Sequence, residues 1–124
     1  MPNEYQVTKL QIPLTVDENK VSTYNINTET TFIIIDSTRF LFGKIGNLTQ
    51  KKTVFSVPYQ DHQPHLNTLA ETISHWQNIQ GNKASKIAVL IPQDYIPVEI
   101  IVQTLHYLKK TNVFEHIVLG DGLV

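Results

Sequence analysis

Residues 86–119 constrain the fold more than any other stretch, because they read as strand, helix, strand. Lys86-Ile87-Ala88-Val89-Leu90-Ile91 is a short apolar run of the buried type. A loop bracketed by Pro92 and Pro97 follows. Val98, Ile101, Val102, Leu105 and Leu108 then recur at helical spacing, which predicts a helix from about Pro97 to Thr111 with Glu99, Gln103, Thr104 and Lys110 facing out. Lys109 and Lys110 sit where they favour the helix dipole, and Asn112 can take a left-handed exit. His116-Ile117-Val118-Leu119 is the second apolar run, closed by Gly120-Asp121-Gly122. A crossover helix between two strands places them parallel in one sheet, with the helix covering one face.

Upstream, Thr31-Phe32-Ile33-Ile34-Ile35 is β-branched and aromatic, a strong strand signal. Asp36-Ser37-Thr38 is turn chemistry, and residues 39–45 form the second strand of a hairpin ended by Gly46-Asn47. Residues 53–57 give a weaker third strand, stopped by Pro58. Leu66, Leu69, Ala70, Ile73 and Trp76 fall on one helical stripe. Pro64 suits the first turn of that helix and Gly81 the position past its end.

Before residue 31 the chain is polar. Its one extended patch is Leu10-Gln11-Ile12-Pro13-Leu14, where Leu10, Ile12 and Leu14 alternate at strand period. Pro13 confines such a strand to a sheet edge. The pattern predicts an extended segment or linker over 1–30 and one domain over 31–124. The fold class is α+β: a two-layer sandwich in which a mixed four- to five-stranded sheet carries two helices on one face, in the order ββ(β)αβαβ. With one face shielded, the surface left bare is expected to meet another polypeptide.

The 124 residues suit a single core, and 41% hydrophobic against 17% charged residues excludes a disordered chain. The net charge of −1 and the absence of a basic stripe argue against nucleic-acid binding. Without cysteine, thiolate catalysis, disulfides and cysteine-ligated metals are excluded. Residues 1–14 lack the basic head and apolar stretch of a signal peptide, and no run approaches a bilayer span.

Candidate chemistry is sparse. Asp61, His62 and His65 form a ligand-like group, but their spacing crosses a loop and includes Pro64, and a metal would need further ligands such as Glu71 or His75. They read as a polar lead-in to a helix. His106 lies off the apolar stripe of its helix and His116 begins a strand. There is no G-x-S-x-G elbow and no phosphate loop. Asp94 is the carboxylate to watch, at the end of a central strand where open α/β sheets place sites; as a cap ahead of the Pro97 helix it has a plain structural role.

Residues 87–119 resemble the periplasmic domain of the ExbD/TolR family of biopolymer-transport proteins. The residues that carry the likeness are Val89-Leu90-Ile91, Asp94, Ile96-Pro97, Ile101-Val102 with Leu105, Leu108-Lys109-Lys110, and Ile117-Val118-Leu119. The hairpin over 32–45 and the helix over 66–76 are similar to the family's opening hairpin and first helix. Leu10-Gln11-Ile12-Pro13 resembles its short V-x-L-P motif. Thr111-Asn112 stands where the family often has Gly, and residues 51–64 are an extra segment. The family's membrane helix and its proton-linked Asp have no counterpart in residues 1–30, so the chain reads either as the soluble part alone or as a soluble relative.

The resemblance implies a non-enzymatic coupling domain, anchored to the inner membrane on the periplasmic side, in a motor driven by the proton-motive force. No cofactor and no metal are expected. The resemblance also implies a homodimer, a proton-channel subunit of the ExbB/TolQ type as partner through the membrane helix, and contact with a TonB- or TolA-like protein or with peptidoglycan. The candidate interface is Leu10, Gln11, Ile12, Pro13, Leu14, Asp94, Ile117 and Leu119. The alternative is a small cytosolic α/β domain with a ligand-binding or enzymatic site at the loop after Ile91, near Asp94.

Overall fold

The computed structural model describes residues 26–49, 54–93 and 95–120. The expected segment at Leu10–Leu14 and the carboxylate of Asp94 lie outside the described residues. The elements are β1 (Thr31–Ile35), β2 (Arg39–Lys44), α1 (Ile45–Thr49), β3 (Phe55–Pro58), α2 (Leu66–Gln80), β4 (Ile87–Pro92), α3 (Val98–Thr111) and β5 (His116–Leu119). A 3₁₀ turn, Gly81–Lys83, follows α2. The architecture is the expected α+β one, with a mixed five-stranded sheet in the order β3-β2-β1-β4-β5. β1 pairs antiparallel with β2 and β2 with β3, whereas β1, β4 and β5 run parallel.

Strand alternation sorts the core into two layers. Ile33, Ile35, Phe40, Phe42, Val57, Ala88 and Leu90 point to one face, where Leu66, Leu69 and Ile73 of α2 and Leu108 of α3 cover them. Both helices therefore lie on the same side. Each fully buried Ile, Leu or Phe there contributes roughly 1.5–3 kcal/mol relative to exposure. Trp76 closes this layer over the β2–β3 side, 5.2 Å from Phe42 and 6.0 Å from Phe55 between ring centroids.

Phe32, Ile34, Leu41, Ile45, Val89 and Ile91 form the second layer, on the opposite face, with Ile26 and Val54 packed against them. All six are buried. The expectation of a bare second face is thus corrected at the sheet's centre. Phe32–Ile35 and Ala88–Ile91 are apolar at both parities, which is the signature of strands covered on both sides.

Other differences are local. Residues 45–49 form a short helix where the strand's end was expected. The N–H of Ile45 donates to the Thr30 carbonyl and that of Gly46 to the Thr28 carbonyl, so the turn is pinned to the chain entering β1. β3 is shifted by about one residue and includes Pro58. Helix α2 ends where Gly81 adopts φ 57°, and α3 where Asn112 takes the left-handed φ 58°, ψ 26°.

The larger correction concerns α3. Val98 and Val102, expected on its buried stripe, are 73% and 57% exposed. Thr104, expected outside, is fully buried, its hydroxyl donating to the Ile100 carbonyl at 2.7 Å. Back-bonding satisfies the hydroxyl inside the helix, so Thr can occupy a core position.

Candidate functional site

The parallel register decides which backbone groups of β5 turn away from β4. The N–H of His116 donates to the Lys86 carbonyl at 3.2 Å and that of Gly120 to the Leu90 carbonyl at 2.8 Å. In a parallel ladder, alternate residues bond the same neighbour. Residues 116, 118 and 120 therefore turn towards β4. Ile117 and Leu119 send their N–H and C=O groups away from it, across the margin of the sheet. These are the two interface residues expected from the sequence that fall within the described chain. Ile117 is half-buried under the helices and Leu119 is 45% exposed.

The other margin is guarded. The N–H of Tyr59 donates to the Thr38 carbonyl at 2.9 Å, so residues of its parity face β2 and Pro58 faces outward. A proline there removes one of the two outward N–H groups of β3, leaving only that of Ser56, and so weakens pairing with a further strand. β5 contains no proline or glycine. Among the described residues the sheet thus has one blunted edge and one, at β5, to which no further strand is paired.

Helix α3 is the crossover between β4 and β5 and lies on the same face of the sheet as α2. Gln103 and Tyr107 line a cavity of about 400 Å³ with Pro64, His65, Leu66 and Asn67, so that flank faces α2. Thr104 and Leu108 point into the core. At 3.6 residues per turn, Val98, Val102, Leu105 and Lys109 fall on the flank away from α2. Since α2 covers the β1–β3 side, this flank lies over β5.

The loop after β4 holds an exposed aromatic, Tyr95. The Ile96 N–H reaches the Gln93 carbonyl at 3.4 Å, closing a turn in which Tyr95 has φ 75°. Tyr95 is 99% exposed and stands just ahead of Val98.

No family model matches this chain, no curated protein matches it, and no solved structure matches it.

Chemistry elsewhere is modest. Asp61 and His62 both have positive φ and form the centre of a two-residue turn closed by reciprocal hydrogen bonds between Gln60 and Gln63. They line a cavity of about 450 Å³ with Ser37, Thr38 and Tyr59. Among the described residues no three His, Asp or Glu side chains converge as a metal site. His65 precedes the first residue of α2 without a side-chain cap bond. Among the described residues no helix is long and apolar enough to cross a membrane.

Two groups titrate away from their usual range. Burial lowers the pKa of Lys44, partly offset by Glu29. Its ammonium donates to the carbonyls of Glu29 and Lys83, each at 3.1 Å, and lies 5.8 Å from the Trp76 ring centroid. Burial, and secondarily the charge of Asp36, raises the pKa of Tyr59. Both read as structural fastenings.

Sequence reasoning named Ile117 and Leu119 but missed Val98 and Val102 as surface. The available signal was that the helix carries more apolar positions than one buried stripe can hold.

Proposed function

We propose that this chain is a non-enzymatic interaction module that binds an extended polypeptide by adding it as a strand to the β5 edge. We further propose that it serves as a periplasmic coupling domain of the ExbD/TolR type, in an inner-membrane complex driven by the proton-motive force. Self-association and a TonB- or TolA-like transducer are the partners that reading names. The observation that carries it is the contrast between the two sheet margins: Pro58 blunts one, while Ile117 and Leu119 leave backbone donors and acceptors outward on the other. An unpaired strand edge of this kind recruits extended chains through main-chain hydrogen bonds. The ββ(β)αβαβ order and the motif residues around Ile96-Pro97 and Leu108-Lys109-Lys110 support the family reading.

The test is a titration of the full chain with the periplasmic part of a TonB- or TolA-like protein from the same organism, following amide exchange at Ile117 and Leu119. Binding with protection of both amides is expected. Leu119→Pro removes one outward N–H at an exposed position while leaving the β4 ladder in place, and should abolish binding. A chain that stays monomeric, binds neither transducer and shows no protection at these amides refutes the proposal.

A further inference from the structure

The flank of α3 that turns away from α2 gives the β5 edge a side-chain preference, and this inference rests on the strand-addition reading above. Leu119 pairs in register with Leu90, which faces the helices, so Leu119 projects to the α3 side of the sheet. The flank of α3 above it carries Val98 and Val102 at its upper end. Lys109 lies on the same flank in the last turn, next to the connection that leads into His116 at the lower end of β5. Among the described residues Lys109 makes no ion pair, and Lys86, just ahead of β4, holds Glu115 only loosely, at 3.5 Å between exposed groups. The slot is therefore apolar at the Leu119 end and cationic at the His116 end.

We infer that this slot selects an extended peptide with apolar side chains at alternate positions facing α3 and a carboxylate at the end nearest Lys109. Main-chain bonds to Ile117 and Leu119 align the peptide. Its α3-facing side chains cover Val98, Val102 and Leu119, which are otherwise left in water. Its carboxylate answers Lys109, fixing which way round the peptide lies. A second copy of this chain is a poor occupant. Its own β5, His116–Leu119, carries no acidic residue. In an antiparallel pairing of two β5 strands, the neighbouring Glu115 would reach the apolar end instead of Lys109.

The experiment uses the full-length chain and short capped peptides of alternating valine and threonine, with aspartates or lysines at one end or the other. Amide exchange at Ile117 and Leu119 and binding isotherms are the readouts. The aspartate peptides should protect both amides and bind about ten-fold tighter than the lysine peptides. Val102→Glu should weaken binding by about ten-fold or more, and Lys109→Glu should reverse the charge preference. Both positions are exposed, so each variant should fold. Protection without charge preference, unchanged by either variant, overturns this inference and leaves strand addition standing. Absence of protection with any peptide overturns both. Protection of the two amides without peptide, together with a doubled mass that Val102→Glu halves, shows the slot filled by a second copy and also overturns it.

Discussion

The Tyr59 hydroxyl donates to the backbone carbonyl of Asp36 at 2.6 Å, fastening the exit of β3 to the β1–β2 turn. The contact joins the two loops that flank the cavity of Ser37, Thr38, Asp61 and His62.

That fastening has a pH signature. The folded pKa of Tyr59 is raised above the ordinary phenol value of 10.0, chiefly by burial. The neutral phenol is the form the fold prefers, so its stabilisation is complete below pH 10.0 and is lost as pH rises through the raised folded value. Tyr59→Phe should cost about 1 kcal/mol at neutral pH by loss of one hydrogen bond, and should flatten the alkaline decline. Denaturant melts of both proteins across that range check it. An equally steep decline in the variant contradicts it.

Lys44 gives the opposite sign. Burial lowers its folded pKa below 10.5, so the unfolded chain holds the proton longer and this group's contribution to stability rises with pH through that window. Lys44→Met should remove the rise. The comparison is a pair of stability curves, and a rise that persists in Lys44→Met assigns it to another group.

Gln77 is a buried amide, and its Nε2 donates to the carbonyls of Ser85 at 2.8 Å and Val113 at 3.1 Å. It ties α2 to the segments that enter β4 and β5. Gln77→Leu strips both carbonyls of their donor and should destabilise by about 1–3 kcal/mol, read from urea midpoints. A neutral result would mean that water replaces the amide.

The faces that α2 and α3 turn to the sheet predict unequal costs for similar residues. Ile73 is fully buried and Val102 mostly exposed. Ile73→Ala should cost about 2–5 kcal/mol, whereas Val102→Ala should stay within about 0.5 kcal/mol. Comparable losses at the two sites would put Val102 back in the core.

In the turn at Asp61-His62, two non-glycine residues hold positive φ, 55° and 64°. His62→Gly should stabilise by about 1 kcal/mol, because glycine meets no Cβ penalty there. A lower melting temperature would show that the imidazole makes a contact worth more than the strain.

Much of the site was legible because it is built from main chain. The run His116-Ile117-Val118-Leu119 announced a strand, and the Pro92–Pro97 loop followed by an amphipathic helix made that strand parallel to β4. The stops at Gly81 and Asn112 were equally local, since few residues tolerate their backbone angles. Side-chain roles within the helices were less legible. A helix with apolar residues at 98, 101, 102, 105 and 108 has more than one plausible buried stripe, and its rotation is set by what it packs on.

The amino-acid order alone determined the five strands, the two long helices and their sequence, though not the short helix over Ile45–Thr49, because strand period, helix period and turn chemistry act over a few residues. Only the tertiary structure decided which strand ended at an open margin, which margin Pro58 blunted, and which flank of α3 was left over it. Those outcomes depend on strand order and helix rotation, and both come from long-range packing of the Ile33–Leu69–Leu90 layer rather than from any local preference.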